Sequence, residues 1–119
     1  MEALRAAIQG QPDSRLDLAA LDIASIETPD LNPEPYLALL DRLASEIAGR
    51  MPSPASGQEF VRVVNDYLFG DLGFRGNEID YNDPRNSCLN HVLDRHSGIP
   101  ITLSVIYIEV ARRLGRPVT

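Results

Sequence analysis

The sequence predicts an all-α chain of four to five helices. Apolar residues recur at i, i+3, i+4 and i+7 in successive windows. Those windows are separated by breakers such as Gly10-Gln11-Pro12, Thr28-Pro29-Asp30 and the stretch Met51 to Gly57. The length of 119 residues, with 44% hydrophobic and 24% charged residues, suits a single helical domain or fragment spanning residues 1–119. A chain this size buries roughly two-thirds of its unfolded surface.

Met1 to Gln9 is expected to form a short helical turn or two. Asp13 then caps a helix whose stripe is Leu16, Ala19, Ala20, Ile23 and Ala24, widened by Leu21 and Ile26 and ending near Glu27. The next helix starts at Asn32-Pro33-Glu34, with Asn as cap, Pro in the first turn and Glu at the positive end of the dipole. Tyr36, Leu40, Leu43 and Ile47 form its buried stripe, and Gly49 and Pro52 close it. Residues 51–57 (MPSPASG) read as an internal linker.

Ser56 opens a third helix with Phe60, Val63, Val64, Tyr67 and Leu68 on one face, stopped by Gly70 and Gly73. After a loop from Phe74 to Pro84, Asn86 or Ser87 is expected to cap a fourth helix through Arg95. Leu89, Val92 and Leu93 are its buried residues and Gly98 its terminator. From Ile99 the pattern is ambiguous. Ile99, Ile101, Leu103 and Val105 alternate as in a strand. Pro100 suits a helical first turn, however, Gly115 and Pro117 form a helix stop, and about 15 residues is long for a strand. A central, largely buried helix is therefore expected, with Glu109, Arg112 and Arg113 on its polar side.

The net charge of −6 argues against a nucleic-acid binder, whose affinity comes mostly from neutralising phosphates. The N-terminus shows no signal-peptide pattern, and no apolar run approaches the roughly 20 residues of a membrane span. A cytoplasmic location is expected. The single cysteine excludes an internal disulfide. No cofactor is implied, and the spacing of Cys88, His91 and His96 is incomplete for a metal site.

Five blocks in order resemble the SirB-type transglutaminase-like family: Tyr67-Leu68-Phe69, Leu72 to Asn77 (LGFRGN), Asp83 to Ser87 (DPRNS), Gly98 to Leu103 (GIPITL) and Ala111 to Gly115 (ARRLG). The resemblance implies the helical N-terminal part of a transglutaminase-like, cysteine-protease-like α+β fold. In that fold a cysteine at the start of a buried helix is joined by a histidine and an acidic residue from a following sheet. Aligning Gly98 and Leu114-Gly115 with the family pattern puts Pro100 at the cysteine position, and the histidine and acid would lie beyond Thr119. The resemblance therefore implies a non-catalytic module with a regulatory or protein-interaction role, as bacterial members are associated with regulation.

Two readings follow. In the first, Ile101, Val105 and Ile108 lie exposed on the helix that the parent fold packs against its sheet. With Arg85 and Arg95, they form an interaction surface for a protein partner or a homodimer. The two arginines also have a plainer role, ion-pairing with Asp83, Asp94 or Glu109. In the second reading the chain is part of a cysteine-dependent hydrolase or acyltransferase. Cys88, in the first turn of the fourth helix, is activated by His91 three residues on, and residues beyond Thr119 complete the site. A buried structural thiol is the plainer account of Cys88. Glu78, Asp80 and Asp83 lack the order of a calcium loop. Ser87 reads as a cap and Ser104 as a tight-packing residue.

Overall fold

The computed structural model describes residues 15–79 and 82–115. The expected turn at Met1–Gln9, the Asp13 cap, Asp80 and the stop at Pro117 lie outside them. Five α-helices form among the described residues: α1 (Leu16–Glu27), α2 (Glu34–Arg50), α3 (Gly57–Asn65), α4 (Leu89–Arg95) and α5 (Pro100–Arg113). A two-residue parallel pair, β1 (Arg75–Gly76) with β2 (Ser97–Gly98), departs from a purely helical pattern, in the register Arg75 to Ser97 and Gly76 to Gly98.

The ambiguous segment is helical, and α5 is the element on which α1, α2, α4 and the strand pair converge. α2 buries Leu40, Leu43, Ala44 and Ile47, and α3 buries Phe60, Val63 and Val64, as their periodicity requires. Both starts are set locally. The Asn32 side chain accepts from Glu34 N at 3.2 Å. Ser56 and Glu59 form a reciprocal capping box at 3.1 and 3.2 Å, a Ser-x-x-Glu signal present in the sequence.

α3 runs without a break into a wider π-helical segment, Asp66–Asp71. Gly73 ends it in the left-handed region, where a side chain would be strained, and Phe74 N bonds back to Leu68 O. Arg50, at the end of α2, sits 4.7 Å over the Tyr67 ring and pairs with Asp71, clamping the π segment to α2.

Three expectations are corrected. On α1 the inward face is Asp17, Ala19, Leu21 and Ala24, while Ile23 and Ile26 are 43% and 70% exposed. The cause is ionic: Asp17 must face Arg113 on α5, and that rotation turns both isoleucines outward. The fourth helix begins at Leu89, not at Asn86 or Ser87. Those two residues belong to a 3-10 turn, Pro84–Ser87, whose cap is Asp83, with Oδ1 accepting from Arg85 N at 2.9 Å. The helix ends at Arg95, with His96 in the left-handed region, and Gly98 belongs to β2. On α5, Glu109 is buried and Ser104 exposed, the reverse of their expected places. Glu109 turns inward because Arg112 and Arg113 neutralise it there.

Candidate functional site

The start of α5 is the position at which the family resemblance implies a cysteine. Ile99 is extended and Pro100 opens the helix. Proline suits this position because its fixed φ is helical and its missing N–H would have had no intrahelical partner. The first turn is occupied by structural bonds. Thr102, buried, donates from Oγ1 to Asn86 O at 2.7 Å and accepts from Ile99 N at 3.3 Å. The hydroxyl thereby joins the start of α5 to the 3-10 turn. Below it Gly98 packs so closely that a Cβ there would meet Val92 Cγ2 at 2.7 Å and Thr102 Oγ1 at 2.9 Å. The Gly-Ile-Pro-Ile-Thr run is thus a packing and capping device.

Cys88 is not in a helical first turn. It is buried and extended, one residue ahead of α4, with Sγ 3.8 Å from Pro84 O. Burial pushes the thiol up, and the carboxylates of Glu27 and Asp83 add to this. That is the opposite of an activated cysteine, whose thiolate needs positive surroundings. His91 is half-buried on α4, and no hydrogen bond joins it to Cys88. Among the described residues no group of three His, Cys, Asp or Glu side chains could hold a metal ion.

His96 is held by side-chain contacts at the end of α4. Its ring stacks on Phe74 with centroids 4.3 Å apart, and Nδ1 lies 2.7 Å from Leu72 O. A carbonyl can only accept, so Nδ1 carries the hydrogen. The pairing ties α4 to the end of the π segment.

Arg85 and Arg95 converge on one acid, Asp83, at 2.7 and 3.3 Å. The Arg85 guanidinium and backbone N–H hold the Asp83 carboxyl well below the usual carboxylate range. Ile101 is 72% exposed, whereas Val105 and Ile108 are half-buried. The interaction surface expected from sequence is therefore divided. Ile101 stands out, the other two aliphatics are partly covered, and both arginines hold an ion pair.

The sequence reading missed the largest polar cluster. Asp17, fully buried, accepts from Arg113 NH2 at 2.6 Å and from Arg15 NH2 at 2.7 Å. Arg113 also reaches buried Glu109 at 2.9 Å and Asp41 on α2 at 2.7 Å. Burial alone would raise the Asp17 pKa, but hydrogen bonds from Arg15, Arg113 and Leu18 N lower it to about 2. The i, i+3 and i, i+4 spacing of Glu109 with Arg112 and Arg113 was visible, but the link to Asp17 spans most of the chain. Among the described residues Asn90 Oδ1 is a buried acceptor with no hydrogen-bond partner.

A groove between the end of α2 and the turn that follows is lined by Ala48, Met51, Phe60 and Leu114. Neither Pro100, Cys88 nor His91 lines it.

These elements define a helical bundle built around a buried α5 that begins at Gly-Ile-Pro. The chain belongs to the transglutaminase-like superfamily, whose family model matches residues 34–119. Among curated proteins it is similar to a UPF0162 protein of Xylella fastidiosa, 45% identical over 98 residues, covering 82% of this chain and 35% of that protein. It is 32% identical over 99 residues to a UPF0162 protein of Pseudomonas aeruginosa, covering 83% of this chain and 36% of that one. Human F-box only protein 21 is 34% identical over 110 residues, 92% of this chain and 16% of that protein. The chain thus spans about a third of the length of these bacterial relatives. No solved structure matches it significantly. Among the described residues no helix is long and apolar enough to cross a membrane.

Proposed function

We propose that this chain is a non-catalytic, SirB-type transglutaminase-like helical module that acts in the cytoplasm through protein contacts, in a regulatory role. One observation carries the reading: Pro100, which has no nucleophilic atom, stands at the start of the buried helix. The first turn behind it is filled by Thr102, whose hydroxyl is committed to Asn86 O.

The competing reading, a cysteine-dependent hydrolase or acyltransferase completed by residues beyond Thr119, needs an exposed and acidic Cys88. Burial and two nearby carboxylates weigh against it. Iodoacetamide alkylation followed against pH separates the two. We expect slow reaction in the native state and a thiol that titrates above the ordinary cysteine range. Rapid alkylation by an acidic thiol would overturn the non-catalytic reading.

Self-association through the exposed start of α5 is the second consequence. Ile101 is the exposed aliphatic at its centre, with Val105 and Ile108 beside it on the same helix. Light scattering after gel filtration at tens of micromolar is expected to give a dimer mass, and Ile101→Glu to return it to monomer. A clean monomer in the unaltered protein removes the homodimer and leaves a heterologous protein partner.

A further inference from the structure

We propose that α1 is a detachable strap, a helix that opens as a unit from α4 and α5 while the other helices stay folded, with the buried carboxylate of Asp17 as its pin. α2 and α3 are held by continuous apolar stripes, but of α1 only Leu21 belongs to the buried apolar cluster of the core. Its other fully buried positions are two alanines and Asp17 itself, and its two isoleucines face outward. Its ends add little: Arg15 provides no side-chain cap, and the last turn carries no basic residue to meet the dipole.

What fixes α1 is concentrated at one residue. Asp17 takes hydrogen bonds from Arg15 and Arg113, with Arg112 a further 3.7 Å contact. Two of the three arginines keep other partners when α1 leaves. Arg112 and Arg113 stay on Glu109, and Arg113 also on Asp41. Arg15 departs with Asp17 as its neighbour. The rest of the bundle therefore loses few buried apolar contacts on opening, and its arginines are not left without counter-charges. Local units of this kind open at lower free energy than the whole fold. The surface uncovered belongs to α4 and α5, on which α1 lies. The opening itself does not depend on the interaction role proposed above.

Native-state hydrogen exchange of the full chain in increasing sub-denaturing urea tests this. The amides of α1 are expected to exchange through an opening with a shallower urea dependence than those of α2 and α5. Val64→Ala, in the core of α3, should speed exchange in α2 and α5 by about tenfold or more and leave the low-urea opening of α1 within about twofold, whereas Asp17→Asn should speed the low-urea exchange of α1 itself by about tenfold or more. Leu21→Ala, on the apolar side of the same helix, should act the same way and serves if Asp17→Asn does not fold. The proposal is overturned if α1 shares the urea dependence of α2 and α5, or if Val64→Ala accelerates the low-urea exchange of α1 as much as that of α2 and α5.

Discussion

Replacing Arg113 with methionine is expected to lower the unfolding free energy by about 3–5 kcal/mol, the usual cost of leaving buried charge without its partner. The side chain bridges Asp17, Glu109 and Asp41, and the first two are almost wholly buried. Methionine keeps much of the arginine's apolar stem but supplies no positive charge. Urea denaturation reads the loss as a lower midpoint at an unchanged slope. An effect below about 1 kcal/mol would place the cluster with exposed ion pairs, which contribute little.

The same cluster sets an acid limb. Asp17 has a folded pKa of about 2 against 3.8 for an unperturbed aspartate. A depressed carboxyl pKa stabilises the fold above the unfolded value, and that contribution is lost as pH falls through the folded one. It is therefore fully present above about 3.8 and disappears toward about 2, and is worth about 2 kcal/mol. In Arg113→Met the depression shrinks, since only Arg15 remains as a close donor guanidinium. The stability gap between the two proteins should narrow as pH falls across that window. A gap independent of pH there would mean that Asp17 is not the group being held.

Gly98→Ala is the second large effect, with an expected loss of about 3 kcal/mol, the upper end for adding a methyl to a packed site. The new Cβ would fall 2.7 Å from Val92 Cγ2 and 2.9 Å from Thr102 Oγ1. The glycine does not occupy the left-handed region, so the cost is contact and not backbone strain. Any shift of Thr102 also weakens its bond to Asn86 O, which joins the 3-10 turn to α5. Gly49→Ala is the control. It lies within α2 with nothing within 4 Å of its would-be Cβ, and should raise stability by about 0.5–1 kcal/mol. Thermal melts of the two variants should move in opposite directions. A Gly98→Ala melt equal to the parent's would show that Val92 and Thr102 yield without cost.

These two sites also mark how far the sequence could be read. The apolar stripes of α2 and α3 were legible because a helix facing one core repeats its buried positions every three or four residues. The helix at Pro100 was legible from its length and its Gly and Pro ends, despite the alternation at its start. α1 was placed in the chain but rotated wrongly, because its orientation answers to Arg113, far away in sequence. The start of α4 was misplaced because Asp83 caps a 3-10 turn first, and a short turn leaves no periodic trace. Pro100 at the head of a buried helix was readable directly. The state of Cys88 was not, since its raised thiol depends on burial and on Glu27 from another helix.

The sequence by itself determined the helical class, the order of the helices, the core faces of α2 and α3, and the absence of a nucleophilic atom at Pro100. These follow from local periodicity, caps and breakers, which act within a few residues. Only the tertiary structure decided which way α1 faces, that Glu109 and Asp17 are buried, that Cys88 is shielded and that Gly98 is closely packed. Each of these is fixed by a charge or a contact between segments brought together by folding, and a linear pattern does not carry that information.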